Sequence, residues 1–146
     1  MTLMTGGCQC GQVRYTLAER PVTVYCCHCR ECQKQSASGF AMSVPTRLDA
    51  LSVTGRLAVW ERATDAGGRT RCHFCPDCGS RIYHQSIAIP DRVTIKGGSL
   101  DDTQWLRPSA HLWVSRKQPW VQLDPDIPAH LTLPDDLYAL RHGDDR

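Results

Sequence analysis

The chain has 146 residues, 41% of them hydrophobic and 22% charged, which excludes collagen-like, coiled-coil and highly charged disordered classes. With 17 Lys and Arg against 15 Asp and Glu, the formal net charge is +2; without a basic run, this gives nucleic acid or anionic lipid little to hold. A domain of ~150 residues buries ~70% of the surface its unfolded chain exposes, so one core suffices without disulfide staples. The 9 cysteines, an odd number, therefore need another explanation.

The start, Met1-Thr2-Leu3-Met4-Thr5-Gly6-Gly7-Cys8, has neither a basic segment nor a long apolar run, so a soluble cytoplasmic protein without a membrane span is expected. Along the chain, short alternating or β-branched stretches dominate. Strands are expected over Val13–Leu17, Val22–Tyr25, Phe40–Val44, Leu51–Thr54, Leu57–Glu61, Thr70–Phe74, Arg81–His84, Val93–Lys96 and His111–Val114, separated by Gly, Pro or Asp turn signals. Asp65-Ala66-Gly67-Gly68-Arg69 suits a hairpin turn. Helix is expected only from Arg30 to about Ser36 and over Pro134–His142, the latter with acids at its start and Gly143 after its end. No repeat or linker interrupts the chain, so a single all-β or β-rich domain over residues 1–146 is expected.

Eight cysteines fall into three groups with ligand spacing: Cys8-Gln9-Cys10, Cys26-Cys27-His28-Cys29-Arg30-Glu31-Cys32 and Cys75-Pro76-Asp77-Cys78-Gly79. Cys-Pro-x-Cys-Gly is a knuckle whose tight turn brings two sulfurs to one ion. A thioredoxin-like redox pair would want a helix starting at the first cysteine, whereas this motif runs into Gly79-Ser80-Arg81-Ile82-Tyr83, a turn and then a strand. Zinc needs four ligands, so the knuckle requires a second pair. If Cys8 and Cys10 supply it, one closed four-thiolate site results. Cys27, Cys29 and Cys32 then remain as a three-thiolate set with one position for water or substrate, the arrangement of a catalytic zinc. Cys26 and Cys27 point to opposite faces of an extended segment, so Cys26 is read as a core residue.

These motifs, with Gly98-Ser99-Leu100-Asp101-Asp102, Pro108, His111-Leu112-Trp113-Val114, Lys117, Trp120 and Pro128 downstream, resemble the glutathione-dependent formaldehyde-activating enzyme family, to which vertebrate centromere protein V is related. The similarity spans residues 6–130 and leaves 131–146 as a tail. It implies a β-tent type zinc fold with two zinc ions: a structural one on Cys8, Cys10, Cys75 and Cys78, and a second, open one on Cys27, Cys29 and Cys32. It also implies a carbon–sulfur lyase-like activity that forms or cleaves S-hydroxymethylglutathione or a similar thiol–aldehyde adduct. The small-molecule partners would be a thiol such as glutathione and an aldehyde.

At the open position a substrate thiol would ionise and add to the aldehyde carbon, with no protein nucleophile and with water as proton source. Seven thiolates and two zinc ions would move the formal charge from +2 to about −1. Two rival readings follow from the same residues. One is a non-catalytic zinc-stabilised binding module with both ions structural. The other is a thiol redox enzyme using Cys26 and Cys72, since methionine-R-sulfoxide reductases share the β-tent fold. His28 is expected to support the second motif from outside the ligand set, or to lie at the surface, and His111 to be a hydrogen-bonded strand residue. Lys34, Arg47, Lys96, Arg116 and Lys117 are candidates for the carboxylates of glutathione, none of them singled out.

Overall fold

The computed structural model describes residues 3–21, 23–64 and 67–142, and the chain there is β-rich with short helical turns. A three-stranded antiparallel sheet has the order β1 (Met4–Gly7), β2 (Arg14–Leu17), β5 (Leu51–Thr54). A seven-stranded sheet joins, in spatial order, β10 (Ala110–Leu112), β3 (Tyr25–Cys27), β4 (Ala41–Arg47), β9 (Arg92–Lys96), β8 (Arg81–Ser86), β7 (Arg69–Phe74) and β6 (Ala58–Ala63). Among the described strand pairs, β10 against β3 is parallel and the others are antiparallel. The helices are α1 (Arg30–Ser36) and α2 (Leu137–His142).

Period-two patterning decides how the sheets face each other. Tyr15 and Leu17 of β2 are buried, and so are Val93 and Ile95 of β9. With Val13, Val44, Ile82 and Tyr83 they form the main core between the two sheets. The alternate residues of β9, Arg92, Thr94 and Lys96, turn to the other face of the large sheet and line a cavity there.

Several expected elements move. β1 has no counterpart among the expected strands, because Met4-Thr5-Gly6-Gly7 is poor in strand formers; the small sheet still needs it. Gly6 admits the Tyr15 ring: a Cβ at Gly6 would lie 2.3 Å from Tyr15 Oη. The strand expected over Phe40–Val44 begins at Ala41 and continues through Pro45 to Arg47. Proline is tolerated there because β3 begins, at Tyr25, opposite Ser43, and Pro45 pairs only toward β9, with Thr94. The strand expected at Val22–Tyr25 appears as Tyr25–Cys27, and Val22 lies outside the described residues. β10 stops at Leu112, because Trp113 adopts a left-handed conformation (φ 58°) and a 3-10 turn follows over Val114–Arg116. Asp65 and Ala66 of the hairpin turn also lie outside the description, but its strands pair from Ala63↔Arg69 to Ala58↔Phe74. The last helix starts three residues later than expected. Asp136 precedes it and accepts from Ala139 N at 2.9 Å, so this acid caps the helix from outside; Gly143 is not among the described residues.

Candidate functional site

Four thiols, of Cys8, Cys10, Cys75 and Cys78, converge within 4.8 Å of one another. Their carriers are two tight turns from different sheets: the β1–β2 turn, with Gly11 at φ 84°, and the β7–β8 turn, with Gly79 at φ 80°. Both glycines take a left-handed conformation that other residues adopt at a cost. In the second turn Gly79 N donates to Cys75 O at 2.8 Å and Cys75 N to Ser80 O at 2.9 Å. Donors already face the sulfurs: Val13 N at 3.2 Å from Cys8 Sγ and Gln12 Nε2 at 3.1 Å from Cys75 Sγ. Hydrogen bonds from the Ser80 hydroxyl and backbone hold Cys78 down to about 5.

The donor set fits zinc. Four sulfurs on a tetrahedron with Zn–S of ~2.3 Å stand about 3.8 Å apart, and Cys8–Cys10 and Cys10–Cys75 are separated by 3.6 and 3.8 Å.

A second group, Cys27, Cys29 and Cys32, also lies within 4.8 Å. Cys27 ends β3, Cys29 caps α1 with its sulfur accepting from Cys32 N at 3.3 Å, and Cys32 stands one turn into the helix. Hydrogen bonds from Cys27 and Cys32 hold the Cys29 thiol far below its ordinary range, while Cys27 is pushed up by the same sharing and by burial. Three thiols that compete for protons at such spacing form a donor set suited to a soft divalent cation.

The two groups differ in their surroundings. Cys27, Cys29 and Cys32 line a cavity of about 810 Å³ on the outer face of the large sheet, whereas none of the first four cysteines lines it. Lys96 and His84 share that cavity. Burial lowers Lys96, against the opposing pull of Cys32 and Cys27. Burial, together with the charges of Lys96, Arg81 and Arg62, drives His84 to about 2, so its neutral Nε2 accepts from Arg81 Nη1 at 2.9 Å.

His28 does not reach the surface. It is fully buried, its Nε2 is 3.0 Å from His111 Nδ1, and its Nδ1 has no hydrogen-bond partner among the described residues. Gln33 braces the loop from behind, with Nε2 donating to His28 O at 2.8 Å and Arg116 O at 2.9 Å. Cys26 is buried outside both groups and pushed up to about 11 by desolvation. Cys72 lies on β7, four strand positions from β3, or about 19 Å at ordinary strand spacing. A disulfide needs Cα atoms within ~7 Å, so the redox reading that paired Cys26 with Cys72 loses its geometry.

Of the basic candidates, Lys96 and Arg116 line the cavity, Arg47 pairs with Asp49, and Lys117 Nζ donates to Val121 O at 2.9 Å. Lys34 lines a separate, shallow pocket with Trp120. Arg30, Arg62, Arg92 and Arg141 also line the main cavity and were not among the candidates. The spacing of Arg92, Thr94 and Lys96, alternating with apolar Val93 and Ile95, was the signal available for Arg92.

Residues 3–116 match the family described as "Glutathione-dependent formaldehyde-activating enzyme". The chain belongs to this family. In fold it is similar to a protein from Rhodobacter sphaeroides known by crystal structure, with a TM-score of 0.54, 22% identity, and coverage of 72% of this chain and 92% of that one. No curated protein matches the chain. Among the described residues no helix is long and apolar enough to cross a membrane.

Proposed function

We propose that this member of the family is a zinc-dependent carbon–sulfur lyase-type enzyme, a single β-tent domain over residues 1–146 that joins a thiol to an aldehyde or splits the adduct. Glutathione and formaldehyde, the pair in the family's description, are the first substrates to test. Cys8, Cys10, Cys75 and Cys78 would hold a structural zinc, and Cys27, Cys29 and Cys32 a second one with a position left open. The observation that carries this reading is the asymmetry between the groups: four converging thiols away from the large cavity, and three thiols on its wall.

Bound at the three-thiol set, zinc would supply Lewis acidity and favour the ionised form of a substrate thiol. The chain's own residues do the remaining work. α1 and the buried Gln33 brace fix the three sulfurs relative to the sheet. Leu112 and Trp113 supply apolar surface to the cavity wall. In the forward direction the S–H bond of the thiol breaks and its proton passes to water, a carbon–sulfur bond forms at the carbonyl carbon, and the carbonyl π pair, moved onto oxygen, takes up a proton from water to give the hydroxymethyl group. No side chain is consumed.

The test is formaldehyde consumption with glutathione above the spontaneous rate, followed by NMR, in parallel with zinc content. Cys29→Ser should abolish the enhancement and reduce zinc from about two ions per chain to about one. Full activity with unchanged zinc content in that variant would overturn the reading.

A further inference from the structure

Adding a thiol to an aldehyde moves an electron pair onto the carbonyl oxygen, and three thiolates around one dication, with a net charge of about −1, repel the charge that gathers there. Lys96 can offset this. It lines the cavity with Cys27, Cys29 and Cys32, and among the described residues its Nζ has neither a carboxylate nor a hydrogen-bond partner. Lys117 Nζ, by contrast, donates to Gln118 O and Val121 O. A lysine ammonium is a compact charge with three donors, and enclosing it without acceptors is costly. An acceptor brought in by a ligand would relieve that cost.

The sheet register puts this ammonium near the sulfurs. Lys96 is opposite Ser43, and Ser43 is opposite Tyr25, two residues from Cys27 on β3. All four therefore share the face that bounds the cavity. Between the Cα atoms of Lys96 and Cys27 lie two strand spacings and two residue rises, about 12 Å together. A four-carbon stem leaning toward β3 closes much of that gap. Cys32 and Cys27 accordingly pull Lys96 upward against its burial. The arginines carried by strands stand off. Arg92 is four residues back along β9, on the side away from Cys27, and Arg62 is on β6, five strand positions from β3. His84, on the neighbouring strand, is occupied in accepting from Arg81 Nη1 at 2.9 Å.

We propose that Lys96 is a catalytic residue, its ammonium hydrogen-bonding the aldehyde oxygen and stabilising the negative charge that develops there as the carbon–sulfur bond forms. This deepens the proposed function and rests on the three-cysteine site being where the thiol sulfur goes. The thiol proton passes to water, the carbonyl π pair moves onto oxygen, and that oxygen takes its proton from water; Lys96 begins and ends as the ammonium. A fixed donor aimed at the site of developing charge lowers the barrier in both directions.

The experiment compares the full zinc-loaded chain with Lys96→Met, which keeps the side-chain length without the charge, and with Lys96→Gln, which serves should the Met variant not fold. Loss of Lys96 should lower kcat for formaldehyde about 100- to 1,000-fold, with the KM for glutathione and the zinc content unchanged, and Lys96→Arg should recover part of the loss. Replacing an unpaired, partly buried charge by an apolar isostere should leave the urea midpoint no lower. A second measurement needs no turnover: [13C]formate, which offers similar oxygens but does not accept a thiol, is titrated by NMR into the zinc- and glutathione-loaded chain. It should bind about tenfold or more weakly without Lys96. The proposal is overturned if the uncharged variants keep the parent's kcat, if they bind formate as the parent does, or if zinc is lost in step with activity, which would make Lys96 a counter-ion of the thiolates. Formate binding that depends on Lys96 in a chain without formaldehyde chemistry would leave the oxygen site standing and sink the lyase reading; lyase activity untouched by loss of Lys96 would do the reverse.

Discussion

His28 shows how much a single side chain can carry without touching a reacting atom. It sits inside the second cysteine motif, yet it points into the protein and meets His111 at 3.0 Å. Removing His111 leaves an enclosed ring nitrogen without its partner, so His111→Ala should cost about 1–3 kcal/mol in urea unfolding. Gly6 makes a steric counterpart. A methyl group there would stand 2.5 Å from Ser99 O as well as against Tyr15, and Gly6→Ala should destabilise by about 1–3 kcal/mol; an unchanged unfolding midpoint would show that the contact yields freely. At this scale the seven cysteines in groups were legible in the sequence because ligand spacing is a local signal. Arg62 and Arg141 were not, since a lone arginine reads as a solvated side chain until the fold places it on a cavity wall.

Between elements, the carboxylate of Asp101 is a clasp. It accepts from Thr5 Oγ1 at 2.6 Å and from Arg14 through both guanidinium nitrogens, while its own N–H donates to Thr5 O at 2.9 Å. Thus β1 and β2 are both tied to the segment after β9. The Arg14 hydrogen bond, then that of Thr5, lowers Asp101 to about 2 from an ordinary 3.8. A depressed carboxylate stabilises the fold above its ordinary value and loses that contribution as pH falls through its folded value. Asp101→Asn should therefore lower stability near pH 6 by up to about 1 kcal/mol, and the gap from the parent should narrow below about pH 4 in paired unfolding curves. Strand positions were readable wherever apolar residues alternated, as in β2, β5 and β9. β1 was not, because its Gly6 serves a close approach by Tyr15 and by Ser99, far along the chain, and β4 ran past its proline because a neighbouring strand stopped short.

For the molecule as a whole, the β-rich class was legible from composition and turn spacing, whereas the division into two sheets was not. That division depends on which strands pair at long range, and period-two patterning is blind to it. The four-thiol group spans the division, since Cys8 and Cys10 follow β1 of the small sheet and Cys75 and Cys78 follow β7 of the large one. Under the zinc reading, chelation should therefore loosen the two sheets from each other more than either sheet internally. Hydrogen exchange after metal removal should rise first in β1 and the β7–β8 turn; uniform protection would count against a structural ion at these cysteines.

The same turn pair bears on the order of assembly. Cys75 and Cys78 are close along the chain, but Cys10 and Cys75 are 65 residues apart, and a loop of that length costs about 4 kcal/mol of chain entropy to close. An ion met early would settle on the knuckle with two positions still free, and would acquire the N-terminal pair only after both sheets had formed and docked. Under the zinc reading, completion of the four-thiol set would thus be a late event, and the supply of metal to the newly made chain would become a checkpoint on whether its first dozen residues are ever locked down.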